Sequence, residues 1–260
     1  MNEENLEVRL EALTWVQIER YIGLDDRILL PVGSTEQHGR HLPLGNDGDL
    51  AHALARRAAE RTGVLVAPVL RFGDSLHHMA FPGTISLGRG TLEMVSRELF
   101  ASLHRHGFRR ILVVNGHGGN IPALRSAVTA LGRLPTTLEV RIRSWWEIPE
   151  VTAIETEAFG GPGSHADAGE TALALAIHPE RVRLKQAGPP QEPVTVTMSM
   201  LSPEQVRSAY PDGNVGPDPQ TATAEVGDRI LAAAVGALAQ DLETWGPAPV
   251  PPALPGVEIR

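Results

Sequence analysis

Residues 28–47 read Ile-Leu-Leu-Pro-Val-Gly-Ser-Thr-Glu-Gln-His-Gly-Arg-His-Leu-Pro-Leu-Gly-Asn-Asp. The first five form a short apolar run stopped by Gly33, as in a strand buried on both faces. The polar stretch that follows is broken by Gly39, Pro43 and Gly45 and reads as a loop. It carries Glu36, His38 and Asp47. Carboxylate oxygens and imidazole nitrogens gathered just past a strand are the donors that a divalent-metal hydrolase site needs. A second apolar run, Ile111 to Val114, leads into Asn115-Gly116-His117-Gly118-Gly119-Asn120. Two strand ends therefore each deliver histidine into a glycine-rich turn.

Outward from these strands, helix-like and strand-like segments alternate. Thr14 suits the N-cap of a helix over Trp15 to Ile22. Asp49 is placed to cap an alanine-rich helix over 50–61, which leaves Asp47 free. Val64 to Leu70 reads as the next strand, and Ile85 to Leu87 as a short extended piece after Phe81-Pro82-Gly83-Thr84. Leu92, Val95, Leu99 and Leu103 recur at helical spacing in a helix from Thr91 to about His106. Further helices are expected over 121–131, 167–176 and 222–242, with a strand over 138–142. Strands separated by helices call for parallel pairing through right-handed crossovers. The expected fold is a three-layer α/β/α sandwich with a mostly parallel central sheet, a single domain over 1–260. The proline-rich tail 246–260 is expected to lie extended on a surface.

Composition narrows the function. The chain has 260 residues, 42% of them hydrophobic, a net charge of −8 and no cysteine. The acidic balance argues against nucleic acid as a partner. The modest basic group Arg105, Arg109 and Arg110 reads as a solvated helix end. Without cysteine there is no disulfide framework and no thiolate metal site. The polar N-terminus is unlike a signal peptide, and the apolar stretch Ile230 to Leu238 is far shorter than the ~20 residues that span a bilayer. A cytoplasmic protein is expected.

Each candidate residue has a plainer role to set beside the chemical one. Glu36 and His38 lie two apart, so in extended chain both project to one side. Asp47 is either a turn residue or a carboxylate able to bridge two ions. His117 is either held by backbone carbonyls in a tight turn or a ligand, with Gly116, Gly118 and Gly119 permitting close backbone approach. Asn115 and Asn120 suit fixing that turn and capping the next helix. The same glycines would suit a phosphate, but no Walker lysine accompanies them. Asp167 and Glu170 have capping-box spacing, yet His165 just ahead is placed for proton transfer. His77 and His78 fit as ordinary loop histidines or, for His78, a pocket wall. Trp145 and Trp146 fit a core edge or a pocket wall.

Taken together, these residues resemble the creatininase family of metal hydrolases. The matching stretches are Thr14-Trp15, Pro31 to Leu44, Phe81 to Leu87, Val114 to Asn120, His165 to Thr171 and Gly213 to Pro219. The resemblance implies two divalent metal ions per subunit, zinc, manganese or iron. It implies that Glu36 and His117 hold one ion and His38 the other, that Asp47 bridges them, and that His165 transfers protons. In creatininase the second ion also takes a glutamate two residues past the turn histidine, where this chain has Gly119. Glu170 is the candidate replacement. Trp146 matches a pocket tryptophan, and His78 and Gly118 are further candidates for contact with substrate. The family's pocket tyrosine is Gly118 here, and its substrate-covering tryptophan is Gly161, which argues against creatinine as substrate. The implied reaction is hydrolysis of a small amide, formamide or cyclic amide by metal-activated water. A mycofactocin-type peptidase and an inactive scaffold are the alternatives. Gln37 and His41 are expected to orient the ligands, and a homo-hexamer built as a trimer of dimers is implied.

Overall fold

The computed structural model of the chain describes residues 7–133, 137–192 and 198–246. Among these, the central sheet has four parallel strands: β1 (Arg27–Val32), β2 (Leu65–Val66), β3 (Arg110–Asn115) and β4 (Glu139–Ser144), in the order β2-β1-β3-β4. β1 and β3 pair in register from Arg27 with Arg110 to Val32 with Asn115. Their side chains alternate between two apolar layers. Ile28, Leu30, Ile111 and Val113 pack with Phe100, Phe108 and Leu124, beneath α1 (Trp15–Ile22), α3 (Arg89–His106) and α4 (Ile121–Leu131). Leu29, Leu112 and Val114 pack on the other side with Leu50, Leu54, Leu173, Ile230 and Leu238. Those come from α2 (Asn46–Thr62), α6 (Ala168–Ile177) and α8 (Ala224–Trp245), while Val151 joins them from α5 (Pro149–Phe159). Helices on both faces explain why both central strands are apolar throughout their interiors. The result is the expected α/β/α sandwich. β4 is an edge strand whose Glu139, Arg141 and Arg143 are exposed.

Several boundaries differ from the sequence reading, each for a local reason. The strand expected over 64–70 is regular only at Leu65–Val66, because Pro68 has no N–H for a ladder. The chain nonetheless keeps following β1, with Leu70 N–H donating to Pro31 O at 3.0 Å and Gly33 N–H to Leu70 O at 2.8 Å. Asp49 is not a cap: α2 starts at Asn46 after Gly45, and Asp49 instead binds Arg71 at 2.7 Å and Arg181 at 2.6 Å. α5 and α7 (Pro203–Ala209) were not anticipated, although each begins with proline and α7 carries a Ser202–Gln205 capping box. The tail 247–260 lies outside the described residues. No described helix is long and apolar enough to cross a membrane.

The start of α2 is wedged between the ends of the central strands. A Cβ on Gly33 would fall 2.3 Å from the backbone N of Gly48, and one on Gly116 would fall 2.3 Å from the carbonyl O of Asp47. Both positions thus require glycine for the helix to approach this closely. Gly116→Ala should lower stability by about 1–3 kcal/mol through overpacking, seen as a fall in melting temperature. An unchanged melting temperature would show that α2 does not bear on this turn.

Candidate metal centre

The loop after β1, the first turn of α2, the turn after β3 and the start of α6 meet at one end of the sheet, where ligands bind in open α/β folds. Glu36, His38, Asp47, His117 and Glu170 converge there and are all buried. Among the described residues, Glu36, His38 and His165 form one set of donor atoms within 4.8 Å of one another, and two further sets are Glu36 with Asp47 and His117, and His38 with Asp47 and Glu170. Asp47 belongs to the last two. Its Oδ1 lies 2.7 Å from His38 Nε2 and its Oδ2 lies 3.3 Å from His117 Nδ1.

The imidazoles reveal what the pocket is built to hold. His38 Nδ1 is 3.0 Å from the carbonyl O of Glu36, which only accepts, so Nδ1 carries a proton and donates it. His38 Nε2 then faces two carboxylates, Asp47 and, at 3.2 Å, Glu170. His117 repeats the pattern: Nε2–H donates to Asp74 O at 3.0 Å, and Nδ1 faces Glu36 Oε1 at 3.2 Å. A neutral imidazole would turn a lone pair toward those oxygens. Each ring must therefore either carry a second proton or share a cation with the carboxylates. Glu36 Oε1 and Asp47 Oδ2 are buried with no hydrogen-bond partner among the described residues, a costly state for a carboxylate. Three buried carboxylates, two imidazoles with anchored far nitrogens and two orphaned oxygens make a donor set that fits divalent cations. Anchoring on backbone carbonyls leaves one nitrogen of each ring free for an ion.

The electrostatics agree. Burial works against charge on His38, but Asp47 and Glu170 raise its pKa well above the ordinary imidazole value. His117 is likewise raised by Glu36 and Asp47 against its burial. Burial alone would push Glu36 up, yet His117, His78 and His165 hold it well below the usual carboxylate range. Glu170, also opposed by burial, is drawn down by His38 to about 2.

His165 borders the same pocket. Its Nε2–H donates to Gln37 O at 2.8 Å, while Nδ1 lies 3.6 Å from Glu36 Oε1. Burial, and then the charge of His38, lower its pKa below the ordinary imidazole value. The residue after it, Ala166, has φ 47°, left-handed backbone unusual for alanine. Asp167 caps the helix by accepting from Glu170 N–H at 3.0 Å, which leaves the Glu170 carboxylate to accept from Ala166 N–H at 2.8 Å and to face His38.

The other sequence candidates divide. His78 is not an ordinary loop histidine: it is buried, with Nε2 3.5 Å from Glu36 Oε1. Gln37 lies between His78 and His165, its Nε2 3.0 Å and 2.9 Å from a nitrogen of each ring. His41 makes no hydrogen bond to a candidate ligand among the described residues. It bonds Thr171 Oγ1 at 2.8 Å, and burial pushes its pKa down to about 4. Asn120 does not cap α4; it accepts from Asp74 N–H and donates to Gly33 O, tying three loops together. Gly118 borders two cavities, of about 830 Å³ and 250 Å³, Trp146 lines only the smaller and His78 only the larger. Sequence reasoning missed Ser75, whose Oγ donates to Glu36 Oε2, and Asn46, whose Nδ2 donates to Glu170 Oε1 at 2.9 Å. It also missed Arg89, which lines the larger cavity and lies 3.6 Å from Asp74, so that an arginine does stand near the glycine turn. Gly119 is sterically closed: a Cβ there would fall 2.2 Å from Asp74 O and 2.5 Å from His117 Nε2.

Metal affinity should accordingly depend on pH, because His38 and His117 must release protons before an ion binds. With both pKa values raised, zinc affinity should keep rising above pH 6.5, the ordinary imidazole value. Affinity that levels off below that pH in competition titrations would remove these rings from the ligand set.

Comparison with known proteins follows the same lines. Residues 11–242 match the family model Creatininase, described as creatinine amidohydrolase. A mycofactocin precursor peptide peptidase from Mycolicibacterium smegmatis is 36% identical over 229 residues, covering 85% of each chain. A creatinine amidohydrolase from Pseudomonas putida is 34% identical over 188 residues, covering 66% of this chain and 72% of that one. The solved structure of a manganese creatininase superposes with a TM-score of 0.80 at 29% identity, covering 92% of this chain and 98% of the other.

Proposed function

We propose, from the premise that this chain belongs to the creatininase family, that it is a binuclear metal-dependent hydrolase of amide C–N bonds whose substrate is a short peptide. The observation that carries the reading is Asp47, one carboxylate whose two oxygens face two different histidines. Glu36, His117 and one Asp47 oxygen would hold the first ion, and His38, Glu170 and the other oxygen the second. Zinc and manganese are the candidate occupants, in keeping with related structures described as Creatininase Mn and as a mutant creatininase of Zn-Zn type. Bound ions of this kind polarise a carbonyl oxygen and make water nucleophilic near neutral pH.

The chain's own residues supply the rest. Ser75 fixes the Glu36 carboxylate, and Asn46 with the Ala166 N–H fixes that of Glu170. His165, pinned at Nε2, presents Nδ1 to the pocket, where it would take up a proton and pass it to the leaving nitrogen. Burial of the centre keeps bulk water from screening these charges.

Two observations favour a peptide over creatinine. The relative matched over 85% of both chains is named a peptide peptidase. The larger cavity, at about 830 Å³, also lies toward the upper end of the range for organic ligands of drug size. A homo-hexamer belongs to the same reading and is checked by sedimentation.

Asp47→Ala should lose both ions and all turnover; two equivalents of metal retained by elemental analysis would overturn the assignment. Glu170→Gln should lose mainly one ion, whereas unchanged stoichiometry would leave that residue a purely structural role. His165→Ala should keep its metal while kcat falls by about 10²–10⁴, the usual worth of a positioned acid–base group. A near-native rate would exclude His165 from proton transfer.

A further inference from the structure

Two cavities meet at the candidate centre. The larger, of about 830 Å³, runs out past Leu76, Met79, Pro122 and Leu201, and the smaller, of about 250 Å³, past Trp146, Glu155 and Pro162. Among the described residues, His117, Gly118, Ser164 and His165 line both. His117 and His165 are imidazoles of the centre; the other two carry no side chain and a small one. Gly118 differs from its neighbours in the turn after β3. Packing demands glycine on either side of it, since a Cβ on Gly116 would fall 2.3 Å from Asp47 O and one on Gly119 2.2 Å from Asp74 O. A Cβ on Gly118 would meet nothing within 4 Å, and its backbone is not left-handed. Neither packing nor backbone conformation therefore requires glycine at position 118. What the missing side chain leaves is free space at the seam of the two cavities.

We propose that Gly118 is a specificity-determining residue: it keeps the two cavities joined across the centre, so that the site takes an amide with a bulky group on both its carbonyl side and its nitrogen side. The inference rests on the hydrolase reading above and adds the shape of the substrate to it. The scissile bond lies at the seam, beside His117 and His165, with one flank in each cavity. The flanks are unequal, because the larger cavity lies toward the upper end of the range for organic ligands and the smaller falls just below its lower end. A side chain at position 118 would project into the passage between them. It would leave each cavity in place but divide them, and so select substrates that are bulky on one side only.

The test uses the full-length, zinc-loaded protein, isothermal titration calorimetry and three hydroxamates whose chelating group takes the place of the scissile amide. N-benzyl-N-hydroxyacetamide carries a ring on the nitrogen side, N-hydroxy-N-methyl-2-phenylacetamide on the carbonyl side, and N-benzyl-N-hydroxy-2-phenylacetamide on both. The two-ring probe should bind about ten-fold more tightly than either one-ring probe, because each ring then buries apolar surface of its own. Gly118→Leu should abolish that advantage while keeping its zinc by elemental analysis. Gly118→Ala, which adds only a Cβ in open space, should at least halve it and decides the matter if the leucine variant misfolds. A two-ring probe no tighter than the better one-ring probe overturns the proposal, as does an advantage undiminished in a folded variant. Zinc separates the two readings. Zinc-dependent binding without a two-ring advantage sinks the joined cavities and leaves the hydrolase reading standing. A two-ring advantage that survives chelation of the zinc upholds the passage and counts against the hydrolase reading instead. No saturable binding of any probe overturns the proposal.

Discussion

Everything at the centre depends on how closely one helix can approach two strand ends. Val32 and Asn115 are paired neighbours, and each is followed by a glycine whose missing side chain makes room for the backbone of Asp47 and Gly48. That contact sets Asp47 in the first turn of α2, where the helix dipole favours negative charge. From there its two oxygens reach histidines from both strand ends. The remaining groups are arranged around that carboxylate, and the three acidic side chains so gathered can be buried together only with positive charge among them.

Orientation is achieved with few parts. Each histidine facing the carboxylates is pinned at its far nitrogen by a backbone carbonyl, Glu36 O for His38 and Asp74 O for His117. Asn120 braces the loops that supply those carbonyls through Gly33 O and Asp74 N–H. His165 is held in the same way by Gln37 O. Because these anchors are backbone carbonyls, they do not depend on the identity of the side chains carried by the same residues. The rings are thus set before any ion arrives, which lowers the reorganisation needed on binding.

The sequence disclosed the parts of this arrangement that depend on local pattern. The apolar runs before Gly33 and Gly116 gave the central strands, and the residues just after them, Glu36, His38, Asp47 and His117, do converge. Periodicity placed α3 and α4 to within a few residues. Capping was harder to read, since Asp47 and Asp49 compete for one helix start and neither serves as the N-cap. Contacts that close over long stretches of chain left no local trace. Ser75 meets Glu36 across 39 positions and Asn46 meets Glu170 across 124. Nothing about an isolated Glu155 on an unanticipated helix marks it as buried beside the centre. Those positions become visible only when the layers are packed.

Gly119 bears on how this family can change. Its missing side chain is not simply a lost ligand, because Asp74 O and His117 Nε2 already fill the space where a Cβ would go. Restoring an acidic residue there would break the anchor that orients His117 before it could add a donor. An acidic side chain at position 119 is accommodated only once the loop bearing Asp74 has shifted, so that change cannot come by one substitution alone.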